Sequence, residues 1–132
     1  MEITVRQHED FTIVGVKGRV IRENQGELRK LLEEVISRGI KGIALDFEAV
    51  DYIDSAGLGC CAAIHKLLQD KKCGALVMFG ASPNIEKMWK LIRLDLVIPV
   101  YQKEKEALSR LEATVSSPPG PPEGAEAAAA GL

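Results

Sequence analysis

Polar and apolar positions along the chain change period several times, and each change marks an element. Ile3 and Val5, then Ile13, Val14 and Val16, follow the spacing of strands over residues 3–8 and 11–18, and the polar His8-Glu9-Asp10 between them predicts a hairpin. From Asn24 the period becomes helical. Leu28, Leu31, Leu32, Val35 and Ile36 fall on one stripe of an amphipathic helix. Asn24 and Glu27 have the spacing of a capping box, and Gly39 is placed to close the helix in a left-handed conformation.

Gly42-Ile43-Ala44-Leu45-Asp46-Phe47 is short and apolar, as an interior strand should be, and a loop over residues 48–54 follows it. Beyond that loop Ala56, Leu58, Cys60, Cys61, Ala62, Ala63, Ile64, Leu67 and Leu68 cover more than one face, predicting a largely buried helix that ends at Gly74. Residues 75–79 supply the next apolar strand, which completes a strand, helix, strand unit whose crossover should be right-handed. Ser82-Pro83 then reads as an N-cap with proline at the first helical position, and Ile85, Met88, Trp89 and Ile92 continue at helical spacing. Residues 96–101 suggest an edge strand, because Pro99 has no N–H to give a ladder. Ala107, Leu108 and Leu111 mark a final helix over residues 103–113. The class is mixed α/β.

Composition narrows the function. A length of 132 residues fits one domain with a core, and no apolar run reaches the roughly 20 residues that span a bilayer. The start of the chain has no basic region followed by an apolar stretch, so a cytoplasmic location is expected. Beyond Thr114 the chain turns to Ser, Pro, Gly, Ala and Glu, so the division expected is a folded domain over 1–113 and a disordered tail over 114–132. Setting aside Glu123 and Glu126 of that tail leaves 17 basic and 17 acidic residues, which gives nucleic acid no basic surface to bind. Cys60, Cys61 and Cys73 have neither an even count nor metal-ligand spacing, so reduced, mostly buried thiols are expected, with no metal and no cofactor. Trp89, His8 and His65 lack partners at catalytic spacing; packing accounts for the tryptophan, and surface or boundary positions for the histidines.

The chemistry concentrates at Asp54-Ser55-Ala56-Gly57-Leu58-Gly59, where an apolar strand passes into a helix. Two glycines so near a helix start imply that something approaches the backbone closely, either a neighbouring element or a partner surface or phosphate group. Asp54 or Ser55 could serve as N-cap of the buried helix. The same helix end offers unpaired N–H donors and a partial positive charge that would accommodate a phosphate on Ser55. Asp46, Glu48, Asp51 and Asp54 give the approach to this tip an acidic character, and a solvated loop would account for them equally well.

This stretch, with Val14-Gly15-Val16-Lys17-Gly18-Arg19 ahead of the first helix and Gly80-Ala81-Ser82-Pro83 after a later strand, resembles the STAS domain of anti-sigma factor antagonists over roughly residues 3–112. The resemblance implies a single STAS-like domain, with a mixed, mostly parallel sheet of about five strands and about four helices. It further implies that Ser55 is the phosphoacceptor, and that Asp54, Ala56, Gly57, Leu58 and Gly59 meet the partner. Asp54 would position Ser55 or a kinase-bound metal, the glycines would permit close contact, and Leu58 would give either apolar anchoring or core packing. The partner implied is an anti-sigma factor that is also a serine kinase, and a serine phosphatase would reverse the modification. The chain departs from the family in two places. Val20-Ile21-Arg22 stands where many members have an acidic residue, and Ala56 follows the acceptor where Ser or Thr is common.

Other classes fit less of the chain. A STAS accessory subunit of a lipid transporter, working without phosphorylation, would use the same edge. A serine hydrolase would need glycine at the position of Ile53. No glycine-rich phosphate-binding loop suggests a nucleotide enzyme.

Overall fold

The computed structural model describes residues 1–72 and 74–116. Strands β1 (Glu2–His8) and β2 (Phe11–Val20) form the expected antiparallel hairpin. Helix α1 (Gln25–Ser37), β3 (Gly42–Ile53), α2 (Ser55–Lys71), β4 (Ala75–Phe79), α3 (Pro83–Leu91), a 3-10 turn at Leu94–Leu96, β5 (Val100–Tyr101) and α4 (Glu104–Ser116) follow. The sheet order is β1-β2-β3-β4-β5, with every pair after the hairpin parallel.

Alternation along the strands divides the core in two. Val14 and Val16 of β2, Ile43, Leu45 and Phe47 of β3, and Leu76 and Met78 of β4 point to the face covered by α1, α2 and α3. Phe11, Ile13, Ala44, Val77 and Phe79 point to the other face, where Ala107, Leu108 and Leu111 of α4 cover them. Trp89 of α3 is fully buried, meets Phe47 edge to face at 6.4 Å between centroids, and donates Nε1–H to the Ile98 carbonyl at 3.0 Å.

Several local signals hold. Gly39 has φ +80 beyond α1, and the Ser82 hydroxyl accepts from Ile85 N–H at 3.3 Å with Pro83 opening α3. Others are corrected. Residues 48–53 form no loop, because β3 continues to Ile53 and pairs with β2 to its end, with two shifts of register. Asn24 sits before α1 without capping it: its Oδ1 accepts from Ile21 N–H at 2.9 Å, and its Nδ2 donates to the Arg19 carbonyl at 2.8 Å. Helix α2 ends at Lys72, which takes the left-handed conformation at φ 54 in place of Gly74. Only Val100 and Tyr101 of the expected last strand pair with β4, since residues 94–96 turn as a 3-10 helix. Helix α4 runs to Ser116, three residues past the end expected for the final helix at 113. The rest of the expected tail, residues 117–132, lies outside the described residues, as does Cys73. Among the described residues no helix is long and apolar enough to cross a membrane.

Replacing Trp89 by Phe leaves the Ile98 carbonyl unpaired and opens space in the larger core cluster, so the variant is expected to lose about 2–4 kcal/mol of stability in urea denaturation. A loss below about 0.5 kcal/mol would show that the tryptophan does not hold α3 on the sheet.

Candidate functional site

The site begins with irregular register in β3. Between Gly15 and Lys17 of β2, and again between Gly18 and Arg19, the register shifts, with β3 supplying the additional residue each time. Apolar side chains therefore enter the core at Phe47, Val50 and Ile53, three residues apart where an unbroken strand would space them by two. Ile53 ends buried, and the next two residues emerge at the carboxyl edge of the sheet, where parallel α/β folds place their ligands.

Asp54 anchors the turn with three hydrogen bonds. Its N–H donates to the Val20 carbonyl at 3.1 Å, its Oδ1 accepts from Gly57 N–H at 2.9 Å, and its Oδ2 accepts from Arg22 N–H at 2.9 Å. The cap of α2 and the β2–α1 loop are thus held by one carboxylate. The bond from Gly57, followed by that from Arg22, keeps this carboxyl below its ordinary value of 3.8. Of the two candidate caps, Asp54 is the one used. The Leu58 N–H also closes on the Asp54 carbonyl at 3.0 Å, so two of the first-turn donors, those of Gly57 and Leu58, are already engaged.

Ser55 is thereby left exposed at the first helical position, and among the described residues its hydroxyl makes no hydrogen bond. Asp54 and Ala56 are half-buried beside it, and Gly59 is exposed one turn further on. Gly57 and Leu58 turn inward. A Cβ on Gly57 would stand 2.6 Å from the Val20 carbonyl oxygen and 2.7 Å from Ile53 Cγ1, so the close approach there is internal. Leu58 is 8% exposed and packs in the core. Nothing lies within 4 Å of a Cβ on Gly59, so any close approach at that residue must come from outside.

Spacing alone did not reveal three contributors to the tip. Arg22 acts through its backbone N–H. Asn24 ties the β2–α1 loop to Arg19 and Ile21, and its capping-box spacing concealed this. The Arg19 guanidinium lies 5.1 Å from the centroid of the Tyr52 ring, a cation–π contact that depends on β3 being long enough to bring Tyr52 opposite Arg19. The buried thiols are unreactive in this setting: burial pushes Cys60 up to about 11 and raises Cys61 further. His8 and His65 are half-buried, with burial lowering the pKa of His65. Among the described residues no group of His, Cys, Asp and Glu could hold a metal ion.

The family model of the STAS domain matches residues 2–107. The chain belongs to the STAS domain family. A curated relative of this STAS domain, an anti-sigma F factor antagonist of Paenibacillus polymyxa, is 26% identical over 113 residues, which are 85% of this chain and 96% of the relative. Its fold is similar to the crystal structure of an anti-sigma factor antagonist from Mycobacterium paratuberculosis, with TM-score 0.74 and 22% identity over 84% of this chain and 93% of that one. It is also similar to the Bacillus cell fate determinant SpoIIAA in its phosphorylated form, with TM-score 0.65 and 18% identity over 83% and 98% of the two chains.

Gly57→Ala is expected to cost about 1–3 kcal/mol, because a methyl group must displace strand backbone, whereas Gly59→Ala should stabilise the helix by up to about 1 kcal/mol. Chemical denaturation of both variants checks the pair, and equal effects would contradict the packing. Because the Asp54 pKa is lowered on folding, its stabilisation is fully present above its ordinary value and disappears as pH falls through the lowered one. The stability difference between wild type and Asp54→Asn should therefore stay constant above about pH 5 and shrink in more acidic solution. A difference that grows on acidification would contradict the bonding described.

Proposed function

We propose that this STAS domain is an anti-sigma factor antagonist controlled by phosphorylation of Ser55. The observation that carries the reading is the use of Asp54 as helix cap, which leaves the Ser55 hydroxyl exposed and unpaired at a rigid corner. The curated relative's name agrees with the role.

In the unmodified state Asp54, Ser55, Ala56 and Gly59 face an anti-sigma factor that is also a serine kinase, while Gly57 and Leu58 hold the shape of that surface from inside. Docking displaces the sigma factor. In the phosphoryl transfer Ser55 Oγ attacks the γ-phosphorus of ATP on the partner, the bond to the ADP oxygen breaks, and a base of the partner takes the hydroxyl proton. The chain supplies the acceptor and no catalytic group. Because Ser55 is exposed and Asp54 already takes the N–H groups of Gly57 and Leu58, the new phosphate projects outward with roughly 1.5 to 2 negative charges. The like charge of Asp54 lies beside it. The docked surface becomes repulsive and costly to desolvate, so the complex ends without refolding. A serine phosphatase hydrolyses the ester and restores the binding form. Both reactions take place in the cytoplasm.

Incubation with ATP and the candidate anti-sigma factor kinase should place one phosphate on wild type at Ser55 and none on Ser55→Ala, as mapped by mass spectrometry. Equal labelling of the alanine variant would remove the mechanism. Ser55→Asp should bind that partner at least about tenfold more weakly in calorimetry. Unchanged affinity would sink the charge-exclusion step.

A further inference from the structure

Far from Ser55, the end of α3 leaves apolar surface uncovered. Leu91 is 73% exposed, Ile92 52%, Leu96 71% and Val97 44%, at the last residue of α3 and in the turn that joins it to β5. Leu94 and Ile98 of the same turn enter the core, so the segment is anchored and its neighbours are held outward. Arg93 has φ 62, and the bonds Leu96 N–H to the Arg93 carbonyl and Ile98 N–H to the Leu94 carbonyl fix the reversal at 3.3 and 2.8 Å. The result is a corner carrying on the order of 400 Å² of apolar surface, the size of the largest patch on a typical soluble domain, which is often a functional one.

The charges around it identify what covers it. Lys90 is paired with Glu86 at 3.0 Å and also feels the charge of Asp95, and Lys87 and Arg93 lie in the same segment. Three cations against two anions give a nearly balanced rim. An anionic lipid surface or a strongly acidic partner would select a basic excess, whereas a surface carrying both signs beside an apolar centre can complement itself. We infer that this corner is an isologous contact between two copies of the chain, with Leu91, Ile92, Leu96 and Val97 packed across a two-fold axis and Arg93 of each copy facing Asp95 of the other. Two such patches bury roughly 800 Å² of apolar surface, and the rim raises the total to about 1,000–1,200 Å², the lower end of specific interfaces. The dimer is therefore weak and forms reversibly with concentration. Helix α3 starts at the sheet edge that carries Ser55 and runs about 13 Å away from it, so both Ser55 tips stay outside the contact.

Sedimentation velocity of the full chain between about 5 and 500 µM should show the 14.3 kDa species pass into one of twice that mass. Leu91→Glu with Leu96→Glu should weaken association more than tenfold, with circular dichroism unchanged. Arg93→Asp and Asp95→Arg should each weaken it, and the double exchange should restore it, a result that loss of folding could not produce. A monomer throughout the range, or association insensitive to these substitutions, overturns the inference. So does a chain that associates only after residues 117–132 are removed, because the tail would then be the cover.

Discussion

The Asp54 carboxylate holds three parts of the molecule that otherwise have no reason to meet. Its two oxygens take N–H donors from the first turn of α2 and from the β2–α1 loop, and its own N–H is tied to the end of β2. Everything at the tip follows from that arrangement. The helix is capped, so the serine beside it need not cap; the loop is fixed, so its backbone presents one shape; and the strand end is locked, so Ile53 stays in the core. A single short side chain can do this because its acceptors point in two directions and both donors are backbone groups with little freedom to lose.

The elements with strong local signals were legible from sequence. The Leu28 to Ile36 stripe of α1, the Ser82-Pro83 start of α3 and the glycine beyond α1 are each specified within a few residues of themselves, and the structure has them as read. The second half of β3 was not legible. Its core positions follow at intervals of three because β3 carries an additional residue at each register shift, and such spacing carries no strand signal. The misreading placed the acidic residues on a loop when Glu48 and Asp51 project from a paired strand.

The identity of the cap was also hidden, since aspartate and serine are both good caps and adjoin one another. Only the direction of the backbone at the end of β3 decides which oxygen faces the free donors. Asn24 shows the converse. Its spacing to Glu27 has the form of a cap, yet the loop it closes lies nearer than the helix, and its amide satisfies Arg19 and Ile21. The resemblance to the STAS family supplied the placement of the site, while the division between outward Ser55 and inward Gly57 and Leu58 came from packing.

The doubly irregular end of β3 makes the count of residues between Phe47 and Ser55 a fixed quantity. Removing the additional residue at either shift would return β3 to a spacing of two and keep Val50 and Ile53 inward, but it would take away the local bend and twist of the strand and so turn the helix start away from Arg22. Insertions and deletions across homologues of this chain should therefore accumulate in the β1–β2 turn and avoid this stretch, however freely its exposed residues drift.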